Sequence, residues 1–156
     1  MRCAINPNKL KQIKLFQSLH PAYLEQVAAL AHEEHYRREE FIFRHGDRGD
    51  RFFLIDEGKV RITRDLAGMG EEALAVLEPG SYFGEMALVD DAPRSAHAKA
   101  HEDCVLYSIN SEELGELMFL NKDLAHDLLW TFIRTLTTRL REANDKMTFL
   151  TITGKF

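Results

Sequence analysis

The spacing of apolar positions changes twice along this chain, dividing it into three stretches. Between residues 8 and 35 apolar side chains recur at helical intervals, with Leu10, Ile13 and Leu15 in a first short segment and Leu24, Val27, Leu30 and Ala31 in a second. Pro21 opens the second helix, because a first-turn residue has no intrahelical N–H bond to lose. From 36 to 110 the apolar runs are short and β-rich: Phe41-Ile42-Phe43, Phe52-Phe53-Leu54-Ile55, Val60 with Ile62, Leu74-Ala75-Val76-Leu77, and the alternation Val105, Tyr107, Ile109. Turn-forming residues separate them at Gly46-Asp47, Gly49-Asp50, Glu57-Gly58, Gly68 to Gly70 and Pro79-Gly80. Many short strands with regular turns predict a mainly β fold with flanking helices, a jelly-roll-like β-roll (double-stranded β-helix).

Helical spacing returns at Ser111, where Ser111, Glu113 and Leu114 predict a capped helix start. A long helix follows over residues 124 to 147, and 148–156 reads as a tail. Leu129, Ile133, Leu136, Leu140, Ala143, Met147 and Leu150 step by four and three, which is a heptad seam. Leu128, Trp130 and Phe132 widen the apolar face only in the first half. The expectation is packing on the roll early in the helix and homodimer pairing later. No linker or repeat interrupts the chain, so 1–156 reads as one domain: a helical segment to 35, the β-roll at 36–110, helices at 111–147, then the tail.

Charge narrows the function classes. The net charge is -5, and residues 21 to 123 hold eleven cations against twenty-two carboxylates. A duplex-binding surface releases counterions through a broad cationic footprint, so no direct DNA binding is expected. No run of eighteen apolar residues occurs and the N-terminus lacks an apolar signal core, so the expectation is a cytoplasmic protein that does not enter a membrane. Two cysteines, Cys3 and Cys104, make no disulfide framework, and Cys104 reads as a buried thiol.

Candidate chemistry concentrates in Phe83-Gly84-Glu85-Met86-Ala87-Leu88-Val89-Asp90-Asp91-Ala92-Pro93-Arg94-Ser95-Ala96. Gly84 permits a tight turn and close approach to a ligand, and Glu85 to Leu88 can form a short helical turn with outward N–H groups. Beyond a stiffening proline, Arg94 offers a planar fork of donors and Ser95 a hydroxyl. Between 78 and 103 the only cations are Arg94 and Lys99, against six carboxylates. One arginine aided by backbone N–H groups suits a singly charged phosphodiester better than a polyphosphate.

This segment resembles the phosphate-binding cassette of cyclic nucleotide-binding domains, the family of catabolite activators and protein kinase A regulatory subunits. The pattern is Phe-Gly-Glu-(Met/Leu)-Ala-Leu, a short loop, then Pro-Arg-(Ser/Thr/Ala)-Ala. Arg44-His45-Gly46-Asp47-Arg48-Gly49-Asp50 and Asp56-Glu57-Gly58-Lys59-Val60 are similar to that family's two glycine turns, and the resemblance spans roughly residues 12 to 147. It implies that Arg94 pairs with the cyclic phosphate, Glu85 accepts from the ribose 2′-hydroxyl, and Gly84 and Ala87 supply backbone donors within a frame completed by Phe83 and Met86. Ser95 would touch the phosphate or a base edge, and Asn144, late in the closing helix, would contact the base. A serine after the arginine leans toward cyclic AMP over cyclic GMP.

The seven histidines form no ligand cluster, since His97 and His101 lie in a strand-like region where a spacing of four makes no helical metal pair. A cupin-type enzyme would need a His-x-His pair with further ligands. No metal and no cofactor is therefore expected, and the chain reads as a sensor rather than an enzyme. Family regulators usually continue into a helix-turn-helix, kinase or channel. The run after Met147 is too short for such a module, so a stand-alone domain is expected, with output through a homodimer rearrangement, an unidentified effector protein or ligand sequestration. The alternatives are a non-binding interaction module of the same fold and a truncated transcription regulator.

Overall fold

A computed structural model describes residues 5–154, so Cys3 lies outside the described residues. Two short helices, α1 (Pro7–Leu10) and α2 (Pro21–Ala28), flank a 3-10 turn at Lys14–Phe16. Eight strands follow: β1 (His32–Tyr36), β2 (Phe41–Phe43), β3 (Arg51–Glu57), β4 (Val60–Leu66), β5 (Gly70–Leu77), β6 (Tyr82–Phe83), β7 (His97–Ala100) and β8 (Cys104–Asn110). They form two four-stranded antiparallel sheets, ordered β1-β8-β3-β6 and β2-β7-β4-β5. Helices α3 (Ser111–Leu120) and α4 (Lys122–Thr153) close the chain. This is the β-roll with flanking helices that the apolar pattern predicts.

β3 explains how the layers stack. Phe53 and Ile55 point between the sheets, joining Ile42, Val60, Phe83, Ala98 and Leu106, while Phe52 and Leu54 point outward into a second cluster. That cluster is covered by Leu10, Leu15 and Phe16, by Leu24 and Val27 of α2, by Leu114 of α3, and by Leu124, Leu128 and Phe132 of α4. A strand buried on both faces reads as a continuous apolar run, and Phe52-Phe53-Leu54-Ile55 is one. Cys104 is buried, and burial pushes its thiol pKa up.

Three local expectations are corrected. Helical structure does not run to residue 35: α2 ends at Ala28, and His32–Tyr36 pairs with β8 from His32 opposite Ser108 to Tyr36 opposite Cys104. Its residues are polar on both faces, and long-range partners decide the outcome. Tyr107 donates to Glu33 at 3.3 Å, and Arg51 donates to both oxygens of Glu34. The cap of α3 is Asn110, whose side chain accepts from the Glu113 N–H at 3.0 Å, and Ser111 is instead the first helical residue. Residues 148–153 continue α4 rather than forming a tail. The Thr151 and Thr153 hydroxyls bond back to carbonyls one turn earlier, and Gly154 at φ +66° ends the helix with its N–H on the Leu150 carbonyl.

Along α4 the two faces separate cleanly. Leu124, Leu128 and Phe132 are buried on the roll, whereas Leu129, Ile133, Leu136, Leu140, Met147 and Leu150 of the seam are exposed. Trp130 does not join the core. It is half exposed and donates to His126 at 3.1 Å.

Candidate functional site

A cavity of about 350 Å³ lies between the cassette, the β4–β5 hairpin and α4. Phe83, Gly84, Glu85, Met86, Ala87, Arg94 and Ser95 all line it. Phe43, Ile62, Ala75, Leu77 and Tyr82 supply an apolar and aromatic wall, and Arg139 is the residue of α4 that reaches it. Asn144 is exposed farther along α4 and does not line this cavity.

Backbone pairing builds the cassette. β6 places Phe83 opposite Phe53, and the two rings stack at 5.1 Å. Gly84 then turns at φ +77°, a left-handed conformation that side chains resist, and starts the 3-10 turn Glu85–Leu88. A Cβ there would also stand 2.8 Å from a guanidinium nitrogen of Arg94. The first N–H groups of such a turn have no partner within it. The Ala87 N–H, expected as a ligand donor, is directed at the Gly84 carbonyl at 3.3 Å.

The first glycine turn holds the other arm. Arg94 donates its backbone N–H to the Asp47 carbonyl at 2.8 Å, and its own carbonyl accepts from the Gly46 N–H at 2.8 Å. Gly49 passes close enough that a Cβ would lie 3.2 Å from the Arg94 Cζ. The motif around residue 47 therefore acts as a clamp on the Arg94 backbone.

Arg94 itself is 8% exposed and makes no ion pair among the described residues. One terminal nitrogen donates to the Gly84 carbonyl at 3.1 Å, the other to the Arg51 carbonyl, and the guanidinium covers the Phe43 ring at 4.2 Å. Its buried Nε has no acceptor among the described residues. Burial lowers the Arg94 pKa from its ordinary value, with Asp50 opposing that shift and Arg51 reinforcing it. A guanidinium stays charged even so, and its hydrogen bonds run to carbonyl dipoles rather than to a carboxylate.

Glu85, 7% exposed, is held differently: Arg139 of α4 donates to its carboxylate. Arg139 also lies over the Tyr82 ring, at 5.7 Å from the centroid. Sequence reasoning missed both residues. A signal existed, since 124, 128, 132, 135 and 139 follow one helical face, and Arg139 ends the stripe that docks on the roll. Among the described residues no group of three or more His, Cys, Asp or Glu side chains converges as a metal site requires, and no helix is long and apolar enough to cross a membrane.

A buried, unpaired guanidinium and a carboxylate on one cavity wall are suited to hold an anion and a hydroxyl on a single small ligand. Comparisons with known proteins identify the family. The profile of the cyclic nucleotide-binding domain matches residues 33–121. The "Cyclic AMP receptor protein" of Thermus thermophilus is 36% identical over 141 residues, covering 90% of this chain and 63% of that protein. The human "cGMP-dependent protein kinase 2" is 33% identical over 99 residues, covering 63% of this chain and 13% of the kinase. The chain thus spans less than two thirds of the length of these relatives. A solved cyclic nucleotide-binding domain from Methylobacillus flagellatus superposes with a TM-score of 0.78 at 26% identity, covering 90% of this chain and 79% of the other. By sequence and fold, the chain belongs to the cyclic nucleotide-binding domain family.

Proposed function

We propose that this domain is a cyclic nucleotide sensor that binds cyclic AMP in preference to cyclic GMP. The observation that carries the reading is the Arg94 guanidinium, buried beside the cavity without a carboxylate and with one N–H unused. A cyclic phosphate supplies the missing counter-charge. The ribose 2′-hydroxyl then donates to Glu85, and the base rests on the wall of Ile62, Ala75 and Leu77. Ser95 and the Thermus relative support cyclic AMP, while the kinase relative keeps cyclic GMP as the competitor.

The output runs through α4. Ligand that competes for Glu85 alters the contact that ties Arg139, and hence the far half of the helix, to the roll. The exposed seam from Leu129 to Leu150 pairs with a second copy, and Asn144 faces the base of the neighbouring site in that assembly. This is a regulatory role in the cytoplasm, exercised through the homodimer or an effector protein, without catalysis or direct DNA contact.

Thermal unfolding with added nucleotide tests the reading. Cyclic AMP at a hundred times its Kd should add about 2.7 kcal/mol of stability, a rise of roughly 5–10 °C for a chain of this size. The pairing of Glu85 with Arg139 favours a second reading, a site closed by its own helix in a non-binding interaction module. That reading predicts no shift with either cyclic nucleotide.

A further inference from the structure

Tyr82 stands where the cavity, the cassette and α4 meet. Its backbone pairs with Leu54, and its ring meets the edge of Phe132 of α4 at 6.2 Å, so the fold fixes the phenol. Tyr82 lines the cavity beside Glu85, and the Arg139 guanidinium lies over its ring. Yet its hydroxyl is buried without a hydrogen-bond partner among the described residues. Thr135 gives its own hydrogen to the Thr131 carbonyl at 3.0 Å, so toward the phenol it offers only an acceptor oxygen, one that the Tyr82 hydroxyl does not meet in hydrogen-bond geometry. A phenylalanine would pack the same ring without burying an unpaired oxygen, so the hydroxyl lowers the stability of this arrangement. Thr135 and Arg139 lie four residues apart on one face of α4, and the Arg139 Cζ stands 5.7 Å from the centroid of the Tyr82 ring.

We propose that Tyr82 is a positioning residue that couples occupancy of the cavity to α4. When a ribose 2′-hydroxyl donates to Glu85, Arg139 turns an N–H from that carboxylate onto the Tyr82 oxygen, and the phenol hydrogen goes to the Thr135 oxygen. Only hydrogen-bond partners exchange, and no proton changes owner. Every buried donor released by the ligand finds an acceptor, so α4 stays clamped over the occupied cavity. The inference rests on reading the cavity as a cyclic nucleotide site.

The test is calorimetric titration of wild type and Tyr82→Phe with cyclic AMP and 2′-deoxy cyclic AMP, alongside thermal unfolding without ligand. Tyr82→Phe should bind cyclic AMP about tenfold more weakly, the size of one hydrogen bond to a charged donor. It should bind the 2′-deoxy ligand nearly as well as wild type does, because that ligand leaves Arg139 on Glu85. Its unfolding midpoint without ligand should be unchanged or higher. Equal binding of cyclic AMP by both proteins, equal losses for the two ligands, or a lowered midpoint would overturn the role of the hydroxyl. Wild-type protein that binds neither cyclic AMP nor cyclic GMP would instead overturn the reading of the cavity on which it rests.

Discussion

Arg94 and Arg139 enter the same cavity from opposite sides, and the two regions hold their charges in opposite ways. The cassette buries Arg94 among carbonyl dipoles and an aromatic face, with no carboxylate to neutralise it. Helix α4 offers Arg139 from a half-exposed position and sets it directly on Glu85. A charge held by dipoles remains available to an anion, whereas a charge held by a carboxylate works as a latch that a ligand must share or release. Under the proposed function, one side of the cavity serves affinity and the other response.

The largest effect should come from the affinity side. Arg94→Ala removes the buried counter-charge for a phosphate and should weaken cyclic nucleotide binding by about 2–5 kcal/mol, thirtyfold or more, measured by calorimetric titration. Unchanged affinity would erase the contrast between the two arginines. The next effect tests the far half of α4. Glutamates at Leu136 and Leu140 would bring like charges together along the seam, weakening self-association by roughly a hundredfold, or about 3 kcal/mol, in sedimentation equilibrium, with little change in unfolding. A wild-type protein that is monomeric at all concentrations would remove the dimer from the account.

Glu85→Gln should shrink the preference for cyclic AMP over its 2′-deoxy analogue by about tenfold, read as the ratio of the two Kd values, because an amide is a weaker acceptor than a carboxylate. A preference that survives intact would assign the hydroxyl to another residue. The smallest change is Gly84→Ala. Its left-handed backbone and the approach of Arg94 should cost about 1 kcal/mol, lowering the unfolding midpoint by roughly 2–4 °C.

How far the sequence revealed these regions follows from how local each one is. The cassette is a contiguous stretch in which Gly84, Glu85 and Arg94 lie within eleven residues, so its chemistry shows in a single window. The roll was legible for a similar reason: short apolar runs with glycine turns mark β2, β3, β4, β5 and β8, whereas the two-residue β6 carries no such run and β7 shows only as a strand-like region around His97. β1 was hidden because its residues carry no apolar alternation, and only pairing with β8, some seventy residues away, makes it a strand. Arg139 was hidden in the same way. Its partner Glu85 lies 54 residues earlier, and nothing near Arg139 announces a carboxylate across a cavity. The tail was misread because Thr148 to Thr153 is rich in β-branched residues, which favour strands in isolation yet here extend a helix already nucleated over six turns.

The most direct measurement is a crystal structure of the protein with cyclic AMP. The account predicts the cyclic phosphate on the Arg94 guanidinium, the 2′-hydroxyl on Glu85, and the base against Ile62, Ala75 and Leu77. Nucleotide density away from this cavity, or a phosphate bound with Arg94 untouched, would contradict it.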